Sequence, residues 1–184
     1  MSTIVIYKTK YGATKKYAEW IAEELNCEVK NVKDVKIEDL SEYDTIIYGG
    51  GLYAEVIDGV VFITRNIDKL EGKKVVIFST GITPLKYREY YDKLVIEKNF
   101  KPEILEKIKI YNFMGKMIID ELSLVHKSAL KTLKQIMLAK KEPSEMEKLL
   151  IELCDANGDF TDRTAIKDLI TYVTNNSEKS NFLY

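Results

Sequence analysis

A continuous apolar strand that runs into a loop bearing hydroxyls and a glycine, and then into a helix, narrows most what this chain can fold into. The strand is Ile4-Val5-Ile6-Tyr7, the loop Lys8-Thr9-Lys10-Tyr11-Gly12-Ala13-Thr14, and helix-forming sequence follows from about Lys15. An uninterrupted apolar run, rather than one alternating with polar residues, is what a strand buried on both faces shows. Such a strand belongs in a parallel sheet with helices on both sides. The loop adds a chemical constraint. The first N–H groups of a helix have no acceptor within it and carry partial positive charge, so they suit an anion. Threonine hydroxyls add donors, and Gly12 lets the backbone approach a phosphate closely. Neither G-x-G-x-x-G nor the P-loop pattern G-x-x-x-x-G-K-[ST] is present. The loop therefore suits a single phosphate, such as that of a mononucleotide.

The rest of the chain repeats the alternation. Residues 14–26 read as an amphipathic helix, with Tyr17, Ala18, Ile21, Ala22 and Leu25 on one face. Cys27–Val32 reads as a second strand. Thr45-Ile46-Ile47-Tyr48 reads as a third, ending in Gly49-Gly50-Gly51, and a helix is expected from about Val60 to Leu70. Lys74–Phe78 is the fourth strand, ending in Ser79-Thr80-Gly81, before a helix over about Tyr87–Lys98. Lys107–Phe113 is the fifth strand, and a last helix spans Arg163 to about Val173. Strands alternating with helices predict a doubly wound α/β fold with a five-stranded parallel sheet. Ligands in such sheets bind beyond the carboxyl ends of the strands. Three segments, Thr9–Thr14, Gly49–Tyr53 and Ser79–Thr83, are expected as loops on that one edge.

Residues 114–157 break the alternation. Leu122, Val125, Ala129, Leu133, Ile136 and Met137 recur at helical spacing, and Lys127, Lys131, Lys134, Lys140 and Lys141 give a basic side. Ser144 reads as an N-cap with Glu147 completing a capping box. One or two extra helices are expected here. Asp120, Glu142, Glu145 and Glu147 dilute the basic side, so a solvated helix is the first reading and a membrane- or partner-docking helix the second.

Size and composition limit the function classes. The chain of 184 residues is expected to form one domain, 1–184, with a helical insertion at about 114–157. A net charge of −1 gives no global field for nucleic acid, and none is expected as a partner. No apolar stretch approaches the roughly 18 residues that span a bilayer. No leader with a basic start and apolar core is evident, and two cysteines without metal spacing fit a reducing compartment. A cytoplasmic location is expected, and peripheral membrane contact stays open.

The residues resemble the flavodoxin-like superfamily, and most closely its branch containing the menaquinone-dependent protoporphyrinogen dehydrogenases. The resemblance covers nearly the whole chain. It rests on Lys8–Thr14, on Tyr48-Gly49-Gly50-Gly51-Leu52-Tyr53, on Phe78-Ser79-Thr80-Gly81 and on Gly158-Asp159-Phe160-Thr161-Asp162. It implies the strand order 2-1-3-4-5 and FMN as cofactor, held without a covalent bond. Thr9, Lys10, Tyr11, Gly12, Ala13 and Thr14 would then hold the phosphate. Gly49, Gly50 and Gly51 would admit the ring, Leu52 and Tyr53 would cover one face, and Ser79, Thr80, Gly81 and Thr83 would meet its edge, with Tyr87 nearby. The resemblance implies an FMN-dependent oxidoreductase or electron-transfer protein, with a quinone or a redox partner protein as acceptor; a homodimer stays open. A non-catalytic carrier and a cofactor-free scaffold are the alternatives. Two departures bear on them. Lys8 stands where flavodoxin phosphate loops usually carry Ser or Thr, and dedicated flavodoxin carriers are strongly acidic where this chain is nearly neutral.

Other chemistry is weaker. His126 is the only histidine, so no Ser-His-Asp arrangement can be argued, and it reads as packed before it reads as a proton relay. Asp155–Asp159 lacks the glycine offset and the closing glutamate of a calcium loop. Lys8 and Thr9 stand where a receiver domain would carry its acidic pair.

Overall fold

A computed structural model of the chain describes residues 2–82 and 88–175. Strands β1 (Thr3–Lys8), β2 (Glu28–Asn31) and β3 (Thr45–Tyr53) are followed by a two-residue strand β4 (Val56–Ile57), then β5 (Lys74–Gly81) and β6 (Ile108–Met114). Five of these form a parallel sheet in the order β2-β1-β3-β5-β6, and β4 folds back antiparallel on β3. Counted on the parallel strands alone, this is the expected order 2-1-3-4-5.

Alternate residues of each strand face opposite sides of the sheet, so the two faces collect separate cores. On one face Ile4, Ile6, Ile46, Tyr48, Val75 and Ile77 meet Ile63, Ile67, Leu70, Val95 and Ile104. On the other Val5, Ile47, Val76, Phe78 and Phe113 meet Tyr17, Ala18 and Ile21 of helix α1 (Ala13–Leu25), and Leu169 and Val173 of α7 (Lys167–Thr174). This double cover is why the strands carry unbroken apolar runs. Asn26 ends α1 in the left-handed conformation, a C-cap that asparagine tolerates.

Three expectations change. Ser79, Thr80 and Gly81, expected in a loop, are the last residues of β5 and stay paired to β6. The helix expected over Val60–Leu70 is a single turn, α2 (Val61–Thr64), followed by a 3₁₀ turn over Ile67–Leu70. Its first half is rich in β-branched side chains, which restrict helix formation. The segment Gly49–Tyr53 is strand rather than loop. Gly49 and Gly50 pair with β1 and Gly49 to Gly51 with β5, while Leu52 and Tyr53 pair with β4 after the chain reverses through Ala54 and Glu55, both at positive φ. Gly49 has a packing reason to be glycine: a Cβ there would lie 2.1 Å from Phe78 Cζ.

Helices α3 (Arg88–Asn99) and α4 (Pro102–Leu105) lead into β6. After β6 the chain leaves the C-terminal edge of the sheet through β7 (Lys116–Met117), forms α5 (Leu124–Leu138) and α6 (Glu145–Leu153), and returns through β8 (Gly158–Asp159), which pairs with β7. The capping box of Ser144 and Glu147 is present at the start of α6. The excursion is thus tethered beside the sheet edge at both ends.

Candidate functional site

Register brings the three segments together. Lys8 pairs with Gly50, Gly50 with Ser79, and Gly51 with Thr80, so the end of β1, the glycines of β3 and the end of β5 lie level on one edge. The turn after β1 is closed by Thr9, whose Oγ1 accepts the Gly12 N–H at 3.0 Å. Gly12 sits at φ 90°, with open space where a side chain would stand, and α1 starts at Ala13. No side chain caps this helix and no acid occupies its first turn, so its N–H groups stay free of a competing anion. Thr14 is buried, and its Oγ1 lies 2.8 Å from Oγ1 of Thr80. The loop after β1 and the end of β5 therefore meet at two hydroxyls.

The other expected residues are placed as follows. Ser79 is buried, with Oγ donating to Asn112 Oδ1 at 2.5 Å, so its hydroxyl ties β5 to β6. The Gly81 carbonyl accepts the Gly115 N–H at 2.9 Å, and Leu52 covers Gly81. A Cβ on Gly50 would meet Ile57 and the Asp58 backbone, and one on Gly51 would meet the ring of Tyr53. Thr83 and Tyr87 lie outside the described residues. Lys8 Nζ forms an ion pair with Asp58 at 2.8 Å, so its charge is engaged with the β4 hairpin.

Lys10, Tyr11 and Tyr53 are expected at the site from the sequence; His126 and Ser123, which meet them from above, are not. Tyr11 Oη lies 2.7 Å from His126 Nδ1 and accepts the Ser123 N–H at 3.2 Å. Lys10 Nζ lies 3.4 Å from His126 Nε2. The rings of Tyr11, Tyr53 and His126 form a triangle with centroids 5.4 to 6.4 Å apart. The available signal was Ser123: as N-cap it puts His126 in the first turn of α5, the end nearest the sheet.

The electrostatics follow from this packing. Burial pushes the Tyr53 hydroxyl up to about 12, with the Asp58 charge adding to it. Burial also works to raise Tyr11, but the Ser123 hydrogen bonds and the Lys10 charge outweigh it and lower its value. His126 is lowered, first by burial and then by Lys10. Neither cysteine is activated: burial raises Cys154, and it pushes Cys27 up to about 11. Among the described residues no cluster of His, Cys, Asp and Glu could hold a metal ion. No described helix is long and apolar enough to cross a membrane.

The family model of the flavodoxin domain matches residues 4–145. An uncharacterised protein of Methanocaldococcus jannaschii is 33% identical over 101 residues, covering 51% of this chain and 66% of that protein. A flavodoxin of Maridesulfovibrio salexigens is 30% identical over 97 residues, covering 46% and 66%. The chain thus spans just under two thirds of either relative. Among solved structures, oxidised flavodoxin 1 from Bacillus cereus aligns with TM-score 0.44 and 20% identity, covering 63% of this chain and 87% of that one. A flavodoxin from the domain Archaea aligns at 0.41 and 19%, covering 84% and 97%. A Fusobacterium nucleatum flavodoxin mutant bound to flavin mononucleotide aligns at 0.37 and 21%, covering 62% and 71%.

Proposed function

This chain belongs to the flavodoxin-domain family, and on that premise we propose that it binds FMN at the C-terminal edge of β1, β3 and β5 and passes electrons through it. The observation that carries this reading is the junction of Thr14 with Thr80 beside the uncapped start of α1. Hydroxyls, free helix N–H groups and the absence of a first-turn acid form a donor set that fits a phosphate ester. Thr9, Lys10, Tyr11, Gly12, Ala13 and Thr14 hold the phosphate in this reading. Gly50, Gly51, Leu52 and Tyr53 line one side of the ring, and Ser79, Thr80, Gly81 and Thr83 belong to its edge. Leu52 and Tyr53 cover Gly81 and Gly51, which makes them the side chains a ring would meet first. Bound FMN supplies one- and two-electron chemistry, while the protein binds it, orients it and shields it from water.

The chain is read as a single domain carrying residues 114–157 as an insertion. An oxidoreductase is preferred to a dedicated shuttle, because a net charge of −1 gives little to steer it onto a basic docking patch. The resemblance to the menaquinone-dependent protoporphyrinogen dehydrogenases supports a quinone acceptor in the cytoplasm, with peripheral membrane contact through α5. Leu124 and Val125, exposed beside His126, support that contact. The carrier reading keeps the same flavin site and replaces the quinone by a partner protein.

The test is an absorbance spectrum of the purified protein after addition of FMN and desalting. Retained bands near about 375 and 450 nm are expected, the signature of bound oxidised flavin. A protein that retains none sinks the redox reading and leaves a scaffold. Thr14→Val is expected to weaken FMN binding by about 1–3 kcal/mol, because it removes a hydroxyl that serves the phosphate. Unchanged affinity counts against this placement of the phosphate.

A further inference from the structure

The single histidine does more than pack. We propose that His126 is a positioning residue of the flavin site: it clasps the start of α5 onto the phosphate loop and Tyr53, and it does so only while its imidazole is uncharged. The inference rests on the flavin reading above for what is clasped, but the clasp itself rests on contacts within this chain.

The donor and acceptor inventory fixes the proton. The Lys10 ammonium can only donate, so His126 Nε2 accepts from it and carries no hydrogen. The imidazole hydrogen then sits on Nδ1 and is donated to Tyr11 Oη at 2.7 Å. That oxygen also accepts the Ser123 N–H. Both of its lone pairs are used, and its own hydroxyl hydrogen is left free for a ligand. The partners come from three pieces of chain: Lys10 and Tyr11 from the loop after β1, Tyr53 from the end of β3, Ser123 from the cap of α5. His126 touches all of them, and 115 residues separate it from Tyr11.

Protonation undoes this arrangement. A hydrogen on Nε2 turns the acceptor facing Lys10 into a donor and places two cations 3.4 Å apart. Among the described residues the titratable groups facing the imidazole are Lys10, Tyr11 and Tyr53, and none of them offers a compensating negative charge near neutral pH. Burial and the Lys10 charge both lower the imidazole from 6.5, so the folded clasp favours the neutral ring. The sign follows: the clasp is complete above the ordinary imidazole value and is lost as pH falls through the lowered one.

The experiment has a flavin arm and a flavin-free arm. In the first, FMN release is followed by recovery of its fluorescence after rapid dilution, at about pH 8 and about pH 5. His126→Ala is expected to release FMN about five- to tenfold faster than wild type at the higher pH, the size of about one lost hydrogen bond. His126→Gln, whose amide can accept from Lys10 and donate to Tyr11, is expected to match wild type there and to lack the acceleration that wild type gains at low pH. The phosphate of FMN titrates in all three proteins, so their difference belongs to His126. Equal release from His126→Ala and wild type, or the same pH profile in wild type and His126→Gln, overturns the proposal. In the second arm, the lone imidazole is titrated by NMR without flavin. A midpoint below 6.5 that rises in Lys10→Met supports the clasp. An ordinary midpoint, unmoved by Lys10→Met, overturns it whether or not flavin binds. Failure to retain FMN with a depressed imidazole midpoint overturns the flavin reading and the role at flavin, while the contact of α5 with the loop stands.

Discussion

The central strands and the α5–α6 excursion are both rich in apolar residues, yet they bury them very differently. Ile46, Ile47 and Tyr48 of β3 are fully enclosed, whereas on α5 Leu124 is 85% exposed and Val125 76%. The strands have a layer of helices on each face, and the excursion has only what lies beneath it. Beside the buried Leu122 and Met137 it is fastened by polar and aromatic contacts: Tyr11 with His126 and Ser123, the Gly115 N–H donating to the Gly81 carbonyl, and the β7–β8 pair. The difference teaches where stability and adaptability reside. The sheet holds the site's floor in place, and the element above it, with Leu124 and Val125 exposed, is expected to be the less stable of the two.

The comparison breaks first at the sheet. Phe78 is fully buried, fills the space beside Gly49 and packs against Phe113 at 5.7 Å. Phe78→Ala is expected to cost about 3–5 kcal/mol in urea unfolding, through lost transfer energy and the cavity left behind. A loss below about 1 kcal/mol would mean that the sheet is not the seat of stability. Tyr17 joins the sheet to the return from the excursion. Its ring stacks on Phe113 at 4.8 Å, and its hydroxyl accepts the Asp162 N–H at 2.9 Å. Tyr17→Phe keeps the ring and strips that N–H of its acceptor, for about 1–3 kcal/mol. Faster hydrogen exchange at Asp162, without change in β3, would assign the loss to the hydroxyl.

Smaller effects sharpen the contrast inside the excursion. Ser144→Ala removes the cap of α6, whose Oγ accepts the Glu147 N–H at 3.3 Å, and is expected to cost about 1 kcal/mol. Exchange should quicken in α6 alone; equal quickening in β3 would mean that the two regions unfold as one unit. Asp159 ties β8 to α1 through Lys16 Nζ at 2.9 Å. The Thr161 hydroxyl first, and Lys16 with it, hold its carboxyl at about 2 against the opposing effect of burial. A depressed carboxyl contributes stability that is complete above its ordinary value and lost as pH falls toward the folded one. The stability gap between wild type and Asp159→Asn should therefore be constant above about pH 4 and close toward about pH 2. Both partners are exposed, so the gap should stay under about 1 kcal/mol.

What the sequence made legible follows from which signals are local. Runs such as Ile4–Tyr7 and Val75–Phe78 announce buried strands by themselves, and with the helices between them they specify a doubly wound sheet. The meeting of Thr14 and Thr80 was half legible: Thr80 stands near the end of β5 and Thr14 in the first turn of the helix that follows β1, and the parallel register of β1, β3 and β5 does the rest. Gly49-Gly50-Gly51 reads as a loop because glycines weaken strands, but pairing on both sides and the ring of Phe78 hold it extended. His126 was illegible as a site residue. Leu124 and Val125 before it and Lys127 after it give no sign of a site, and its partners Tyr11 and Tyr53 come to it only through the tertiary path of the excursion.

The smallest effect is the most diagnostic. Leu122, Val125, Ala129, Leu133, Ile136 and Met137 share one helical spacing and would read as one buried stripe, yet the structure divides them. Leu122 and Met137 are buried, Val125 is 76% exposed and Ile136 58%. Helical spacing alone cannot tell a stripe that packs from one that faces water, because only the neighbouring elements decide which part of it is covered. Val125→Ser and Ile136→Ser should accordingly change the unfolding free energy by no more than about 0.5 kcal/mol. A cost above about 1 kcal/mol for either would show that the stripe is covered in solution. If a second copy of the chain covers it, that cost should grow with protein concentration, since association stabilises by mass action. If another part of the same chain covers it, the cost should be independent of concentration, and α5 would have to be counted with the sheet rather than set against it.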